Sequence, residues 1–335
     1  MEFQKKIKFG VIGCSRVAKK STLPALNSSE MAEIEIIGSR SLEKAKEFCE
    51  EFNCNSYGTY EDVLKNKNID AVYISLPIGL HEEWVVKSAK AGKHILCEKS
   101  STTSLDSAKR MVGICRENNV RILEGFMFKH HPQNKKVLGL IEEGILGDLL
   151  AFQGCFGFPF PKEDNIRLKK ELGGGVLNDA ACYPIYASRM LFGEEPESVF
   201  CKLKKDPQLG IDTKADIVLN YSNGKVAFIS SSFGASFQSK YGLWGAKSYL
   251  NVNRAYAVPK DMQTTIFLNI NDEIREITME PEDHFKLMVD NFCKVISSKE
   301  KRIQNFESDL LAQARVLEAL RLSDKEDRIV KISEL

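Results

Sequence analysis

The sequence predicts two domains: an α/β domain with a doubly wound parallel sheet, followed by an α+β domain with a mostly antiparallel sheet. Three observations support this prediction. The 335 residues exceed the usual size of one domain. Strand and helix patterns alternate in the first part of the chain, whereas strand patterns follow one another in the second. We expect the division to lie near residue 125, which gives domains of residues 1–125 and 126–335.

The first domain begins with a buried strand pattern over Ile7–Ile12 and then alternates. Further strands are predicted over residues 35–38, 71–76, 95–97 and 121–124, and helices over residues 16–26, 42–52, 81–91 and about 103–118. Thr59 and Asp62 have the spacing of a capping box, and Thr103 with Asp106 is expected to open the last helix. Buried strands that alternate with helices favour a parallel sheet covered on both faces.

The second domain has a different pattern. A helix is predicted over residues 133–143, a strand near 149–156, and a helix that follows the glycine cluster Gly173–Gly175 and ends near Leu191. Several long strands follow between residues 198 and 277. Asn223-Gly224 between two of them is a strong hairpin signal. Helices over residues 282–297 and 308–323 complete the domain.

Composition excludes several classes of protein. Hydrophobic residues make up 43% of the chain, which is enough for packed cores. The net charge of +1 gives no basic patch for nucleic acid or an anionic membrane. No apolar stretch approaches the length of a membrane-spanning helix. Nine cysteines without a C-x-x-C pair predict reduced, mostly buried thiols in a cytoplasmic protein, and no cluster has metal-ligand spacing.

A glycine turn lies between the first strand and the first helix. It reads Gly10-Val11-Ile12-Gly13-Cys14-Ser15-Arg16-Val17-Ala18, so Gly13 and Ala18 fit the G-x-G-x-x-G/A pattern while Ser15 replaces the central glycine. In a dinucleotide fold this turn approaches the pyrophosphate, which lies at the N-terminus of the helix. The motif alone is also compatible with an ordinary strand–helix turn, but the alternating context favours a dinucleotide site.

The end of the second strand contains no acidic residue. Such an acid normally binds the ribose 2′-hydroxyl of NAD, whereas an arginine can pair with the 2′-phosphate of NADP. Arg40, flanked by the hydroxyls of Ser39 and Ser41, therefore predicts a preference for NADP(H), with NAD(H) still usable. The alternative is a solvated arginine next to a serine helix cap.

Two further clusters are suited to proton and hydride chemistry. Glu98-Lys99-Ser100 follows a strand, so Lys99 is expected at the carboxyl edge of the sheet, where it can polarise a substrate oxygen. Asp179 and Tyr183 are four residues apart and share one helix face. A tyrosine hydroxyl close to a lysine can donate a proton to a carbonyl. Without that context, these residues could equally be surface charges and a packed tyrosine.

Together these landmarks resemble the glucose–fructose oxidoreductase / inositol dehydrogenase / rhizopine-catabolism family. The landmarks in chain order are Gly10-Val11-Ile12-Gly13-Cys14, Leu76-Pro77 with His81, Glu98-Lys99, Glu124-Gly125-Phe126-Met127 with His131-Pro132, Asn165-Ile166-Arg167, and Gly173–Gly175 with Asp179 and Tyr183. The resemblance implies a Rossmann domain, then a domain with a large open sheet. It also implies hydride transfer at a sugar-like hydroxyl. A tyrosine at position 183 resembles the branches of this family that use NADP, in which the tyrosine is the expected proton donor.

The resemblance also implies roles for individual residues. The catalytic group would be Lys99, Tyr183 and Asp179. The cofactor would be bound by Gly13, Cys14, Ser15, Arg16, Val17, Ser39, Arg40, Ser41, Leu76, Pro77, His81, Glu98 and Lys99. The substrate would contact Lys99, Met127, Lys129, Arg167, Asp179 and Tyr183. Ser100 and Ile78 depart from the family pattern, which has proline and asparagine at these positions.

We therefore expect an NADP-dependent oxidoreductase that acts on a secondary alcohol or ketone of a sugar derivative, with a nucleotide-linked keto sugar as the first candidate. The alternatives are a dehydrogenase of a free sugar, polyol, inositol or dihydrodiol, and a non-catalytic nucleotide-sensing regulator. The aromatic residues between Ser230 and Val252 predict a homodimer or homotetramer formed through the C-terminal sheet. We expect no metal, nucleic-acid or membrane partner.

Overall fold

The protein is described by a computed structural model that covers residues 5–298 and 305–335. The chain forms two compact units. The first contains the chain up to Met127 together with Phe285–Leu311, and the second contains Phe128–His284 and Ala312–Leu335. Nothing in the sequence indicated that Phe285–Leu311 returns to the first unit. The domain boundary at residue 125 stays a prediction.

A six-stranded parallel sheet forms the centre of the first unit. Its strands are β1 (Ile7–Ile12), β2 (Ala32–Gly38), β3 (Ser56–Gly58), β4 (Ala71–Ile74), β5 (His94–Cys97) and β6 (Ile122–Glu124). They lie in the order β3-β2-β1-β4-β5-β6, and every neighbouring pair is parallel. This order reverses direction between β1 and β4, as in a doubly wound dinucleotide-binding sheet, so the predicted fold class is confirmed.

The helices of this unit follow the predicted positions closely. They are α1 (Leu23–Ser28), which continues the π-helical turn Ala18–Thr22, α2 (Leu42–Glu51), α3 (Tyr60–Lys65), α4 (His81–Lys90) and α5 (Leu105–Glu117). The capping box of Thr59 and Asp62 is present at α3. The prediction that Thr103 opens α5 is wrong, because Ser104 caps this helix by accepting a hydrogen bond from the Ser107 N–H at 3.2 Å.

A nine-stranded sheet dominates the second unit. Its strands are β7 (Leu149–Phe158), β8 (Ser198–Lys205), β9 (Asp212–Asn220), β10 (Val226–Phe233), β11 (Gln238–Gly245), β12 (Ser248–Val252), β13 (Thr264–Ile270), β14 (Glu273–Met279) and β15 (Val330–Lys331). The order is β14-β13-β12-β11-β7-β10-β9-β8-β15, and only β7 and β10 pair in parallel. The large, mostly antiparallel sheet is thus confirmed. Asn223 and Gly224 adopt φ angles of 56° and 75° in the predicted hairpin.

In the described part of the chain four more helices follow: α6 (Pro132–Glu142), α7 (Cys182–Phe192), α8 (His284–Ser297) and α9 (Phe306–Glu326). Within the second unit α7 is fixed to α9 by buried polar bonds. Arg189 donates to the Gln313 side chain at 2.9 Å, and Gln313 donates to the Cys182 carbonyl at 3.0 Å. These bonds hold the helix that carries Tyr183.

The cysteines differ in part from expectation. Cys49 and Cys54 form a disulfide, so the prediction of reduced thiols is wrong for this pair. Their Cα atoms are 4.9 Å apart because the chain folds back directly after α2, and this distance is within the range that a disulfide spans. Of the other seven cysteines, all except Cys155 are buried. No helix among residues 5–298 and 305–335 is long and apolar enough to cross a membrane.

Candidate functional site

The turn after β1 is closely packed and requires glycine. Gly13 has a φ of +107°, and a Cβ at this position would lie 2.8 Å from the carbonyl oxygen of Ser75 and 2.8 Å from a methyl group of Leu76. The Gly13 N–H also donates to the carbonyl of Gly38 at 3.0 Å. The turn therefore lies against the ends of β2 and β4, at the carboxyl edge of the sheet.

The serine that replaces the central glycine of the motif begins the helix. Ser15 accepts a hydrogen bond from the Ala18 N–H at 3.1 Å, and its hydroxyl also bonds to that of Ser75. Cys14 is buried, and burial raises the pKa of its thiol. Arg16 is exposed and Val17 is half-buried. The first turn of the helix thus leaves backbone N–H groups available for an anion.

The end of β2 presents a cation next to a helix N-terminus. Ser39 is buried and its hydroxyl accepts from the Ser41 N–H at 3.2 Å. Ser41 caps α2 by accepting from the Lys44 N–H at 3.2 Å. Arg40 lies between the two serines and is exposed. The serine hydroxyls therefore stabilise this turn, and Arg40 between them remains exposed.

The segment after β4 is fixed by a buried histidine. The His81 ring has no exposed surface. Its Nε2 lies 2.8 Å from the Leu76 carbonyl, and its Nδ1 lies 3.2 Å from the Ser100 carbonyl. Burial lowers the pKa of this imidazole. His81 thus links the turn that carries Leu76 and Pro77 to the segment after β5, while its contact with a cofactor stays a prediction.

Lys99 lies directly after β5, at the predicted edge of the sheet. The preceding Glu98 accepts a hydrogen bond from the hydroxyl of buried Tyr73 at 2.6 Å, and burial raises the pKa of this carboxyl. The peptide bond between Lys99 and Ser100 is cis. Glu124 accepts from the Ser101 N–H at 2.7 Å. Sequence reasoning gave no role to Tyr73, and Glu124 was only a landmark.

Tyr183 lies in an aromatic cluster of the second unit. It is 6% exposed, and its ring centroid is 5.7 Å from that of Phe128, 5.2 Å from that of Phe156 and 5.9 Å from that of Tyr256. The contact with Phe156 is edge-to-face. Three aromatic neighbours fix the orientation of the ring and exclude water from its faces.

Charged side chains lie close to this cluster. Asp179 is paired with Arg167, whose Nε is 2.5 Å from the carboxylate, so these two predicted site residues are brought together. Lys129 donates to the Tyr186 hydroxyl at 2.7 Å. Met127, the remaining predicted substrate contact, is buried at the end of the first unit. The second unit thus combines a tyrosine, a carboxylate and two cations.

A buried aspartate that sequence reasoning missed supports the helix start. Asp212 accepts a hydrogen bond from the Leu177 N–H at 2.6 Å. A Cβ on Gly175 would collide with this carboxylate, and Gly175 has a φ of +120°. Arg321 donates to the Asn178 side chain at 2.6 Å. The glycine cluster was the sequence signal for a close approach at Gly175, but nothing in the sequence indicated that Asp212 is the group that approaches it.

The first unit therefore has the turn, helix N-terminus and strand-end lysine of a dinucleotide-dependent oxidoreductase, and the second has a buried tyrosine, Tyr183, with charged neighbours. No group of three or more His, Cys, Asp or Glu residues within the described chain is placed to hold a metal ion. The chain belongs to the oxidoreductase family with an NAD-binding Rossmann fold, whose model matches residues 7–126. The GFO/IDH/MocA C-terminal domain matches residues 135–251.

Individual relatives cover nearly the whole chain. A dTDP-3,4-didehydro-2,6-dideoxy-α-D-glucose 3-reductase from Saccharopolyspora spinosa is 34% identical over 88% of each chain. An NADP-dependent D-xylose 1-dehydrogenase from Haloferax volcanii is 31% identical over 90% of this chain and 92% of its own. The crystal structure of a 3-ketoreductase from Actinomadura kijaniata, with NADP and TDP-benzene, is 31% identical with a TM-score of 0.91, covering 95% of this chain and 98% of that one.

Proposed function

We propose that this protein is an NADPH-dependent reductase of a nucleotide-linked keto sugar. The observation that carries this proposal is the pairing of a Rossmann-type first unit with a second unit in which Tyr183 lies close to Arg167 and Asp179. The similarity to two dTDP-3,4-didehydro-2,6-dideoxy-α-D-glucose 3-reductases, at 34% and 31% identity over most of the chain, supports the same substrate class. Lys129 supplies positive charge suited to a diphosphate, whereas the charge of Arg167 is paired with Asp179.

NADP(H) fits the residues of the first unit. The N-terminus of the helix after Gly13 suits the pyrophosphate, and the exposed residue Arg40 suits the 2′-phosphate. When bound, NADPH supplies the hydride. The expected result is a higher kcat/KM with NADPH than with NADH, although NAD(H) remains usable. Equal or NADH-favouring values would contradict the role of Arg40.

The proposed chemistry uses three side chains. Lys99 polarises the substrate carbonyl oxygen and favours the ionised form of the tyrosine. Tyr183 donates the hydroxyl proton to this oxygen as the carbonyl carbon is reduced, and it recovers a proton from solvent afterwards. Asp179 orients the substrate or the positive charges close to Tyr183. The aromatic rings around Tyr183 exclude water, which strengthens these electrostatic effects.

The direct test is an assay with NADPH and a dTDP-linked 3-keto sugar, measured by loss of NADPH absorbance. A thermal-shift panel of sugars and sugar nucleotides with NADP present would identify the substrate class, because a ligand of the native state raises the melting temperature. A panel in which only free sugars raise it would contradict a nucleotide-linked substrate.

A second candidate is oxidation of a free sugar, polyol, inositol or dihydrodiol. The similarity to a D-xylose 1-dehydrogenase at 31% identity favours this alternative. This candidate would be supported if the protein reduced NADP with free sugars or diols and did not oxidise NADPH with keto-sugar nucleotides. A non-catalytic nucleotide-sensing regulator is the third possibility, and it would bind NADP without turning over any member of the panel.

We also propose that the protein is a cytoplasmic homodimer or homotetramer formed through the nine-stranded sheet. Trp244 and Tyr249 are cross-strand neighbours with 58% and 44% exposure. Phe228 is 47% exposed. It pairs with Gln153 on β7, which pairs with Gly242 on β11, and Gly242 lies two residues before Trp244, so Phe228 and Trp244 lie on the same face of the sheet. Exposed aromatic residues on one sheet face suit an interface with a second copy. Light scattering that detects only monomer at micromolar concentration would contradict this.

A further inference from the structure

The loop that carries Arg167 is built onto the glycine cluster. The Arg167 carbonyl accepts a hydrogen bond from the Gly175 N–H at 3.0 Å, and the Lys169 carbonyl accepts from the Gly174 N–H at 3.0 Å. A Cβ on Gly174 would collide with the Arg167 carbonyl oxygen. The two glycines therefore allow a backbone approach that no other residue permits, and they fix Arg167 beside the helix that carries Asp179 and Tyr183.

The side chain of Arg167 is directed to that helix. Its Nε is 2.5 Å from the Asp179 carboxylate, and the side chains of Arg167 and Asp179 are 43% and 13% exposed. The guanidinium carbon lies 5.8 Å from the centre of the Phe158 ring. The negative charge of Asp179 raises the pKa of Arg167, and the charge of Tyr183 raises it further. The guanidinium is thus within electrostatic range of both acidic groups.

We propose that Arg167 is a positioning residue that neutralises Asp179 and stabilises the tyrosinate formed when Tyr183 gives up its proton. This inference rests on the proposed function of Tyr183. In the reduction, the carbonyl carbon gains the hydride and its oxygen gains the Tyr183 proton, which leaves an alcohol, oxidised cofactor and a tyrosinate. Without Arg167 the negative charge of Asp179 would oppose this tyrosinate, because the two residues share one helix face.

Other titratable groups also face Tyr183 in the second unit. Tyr256 contacts the ring, and burial raises the pKa of its hydroxyl well above the usual value. Lys129 lies beside Phe128, bonded to Tyr186. In the proposed mechanism Lys99 adds a second positive charge. The effect of Arg167 is therefore measured as a difference between variants that all retain these groups.

The test measures the ionisation of Tyr183 without any substrate. Tyrosinate absorbance is titrated in each protein and in the same protein with Tyr183→Phe, and the difference reports Tyr183 alone. The wild-type difference gives the reference titration of Tyr183. In Arg167→Gln we expect this pKa to rise by about one pH unit or more, because an opposite charge has been removed. Arg167→Lys should retain part of the effect.

Arg328→Gln is the matched control, because Arg328 is also an ion-paired arginine of the second unit, bonded to Glu326 and Glu334. It should leave the Tyr183 titration unchanged. An unchanged titration in folded Arg167→Gln would overturn the proposal, as would a wild-type Tyr183 that ionises no earlier than in Arg167→Gln. Because the titration needs no substrate, failure to find a reductase substrate would refute the proposed function without affecting this result. With a substrate, the pH profile of kcat should move in parallel.

Discussion

At the scale of single residues, the proposed chemistry depends most on the lysine at the end of β5. Lys99 follows Glu98, whose carboxyl is fixed by Tyr73, so its backbone is held by the buried core of the sheet. A fixed ammonium stabilises a developing alkoxide more than a mobile one, because it needs no reorganisation during the reaction. Lys99 should therefore contribute more to kcat than to the affinity for the cofactor, which is still expected to bind in its absence.

We predict that Lys99→Ala lowers kcat by about 10²- to 10⁴-fold, the range typical of one electrostatic or acid–base group. NADPH binding, measured by fluorescence titration, should change little. Tyr183→Phe should also be impaired, because it lacks the hydroxyl proton. Lys90→Ala is the control, since Lys90 is an exposed lysine of the same unit at the end of α4. Near-normal turnover in Lys99→Ala would refute the assignment.

Sequence patterns identified candidate site residues better than they identified the contacts between those residues. Arg167 and Asp179 were each named as candidates, but their ion pair depends on a loop geometry that no pattern reports. Ser15 was taken as a defect of the glycine motif, whereas its hydroxyl begins the helix. Asp212 escaped notice because a lone aspartate at the start of a strand resembles any surface residue. Buried polar bonds between distant segments are the information that a linear motif lacks.

At the scale of elements, the start of the helix that carries Asp179 and Tyr183 depends on two glycines and one carboxylate. Gly175 adopts a φ of +120°, and its Cα faces the Asp212 carboxylate, which accepts the Leu177 N–H. The five residues Leu177–Ala181 form a π-helical turn before α7. Such turns are found often at functional sites, where they redirect side chains.

We predict that Gly175→Ala lowers the free energy of unfolding by about 1–3 kcal/mol, because alanine would hold a strained φ and displace Asp212. It should also lower kcat, since Tyr183 lies on the same helix. Gly139→Ala is the matched control in the same unit, because a Cβ at Gly139, inside α6, would meet no neighbouring atom within 4 Å. That change should stabilise by about 0.5–1 kcal/mol. Urea unfolding measures both, and equal effects would contradict the strain argument.

At the scale of the whole molecule, periodicity predicted both sheets, because buried parallel strands and alternating antiparallel strands have different patterns. Periodicity could not predict two features of the structure. The segment Phe285–Leu311 packs with the first unit, where Arg121 pairs with Glu307 at 2.7 Å. Cys49 and Cys54 approach each other only because the chain turns back after α2. Both depend on contacts that are set by the tertiary structure rather than by local sequence.

The histidines make the stability of the whole fold depend on pH. All five histidines of the chain have a lowered pKa, and burial is the main cause in each case. Burial lowers the pKa of His130 and of His284 to about 3. His131 and His284 are in edge-to-face contact, with ring centroids 5.8 Å apart, so a charge on one opposes a charge on the other. The folded protein therefore keeps these imidazoles neutral.

We predict that the free energy of unfolding falls as the pH is lowered from about 7 to about 5. The pKa values of these histidines in the folded state lie below the unfolded value of about 6.5. Below pH 6.5 the unfolded chain therefore binds more protons than the folded protein. The stability that is present above pH 6.5 is lost progressively as the pH falls toward 3. Each such histidine contributes up to about 1.4 kcal/mol per pH unit. Most carboxylates titrate below this window. Glu98, whose pKa burial raises in the folded protein, acts in the opposite direction, because the folded state then binds the additional proton. His284→Gln should flatten the dependence measured by urea unfolding, and an equally steep dependence in that variant would show that other groups cause it.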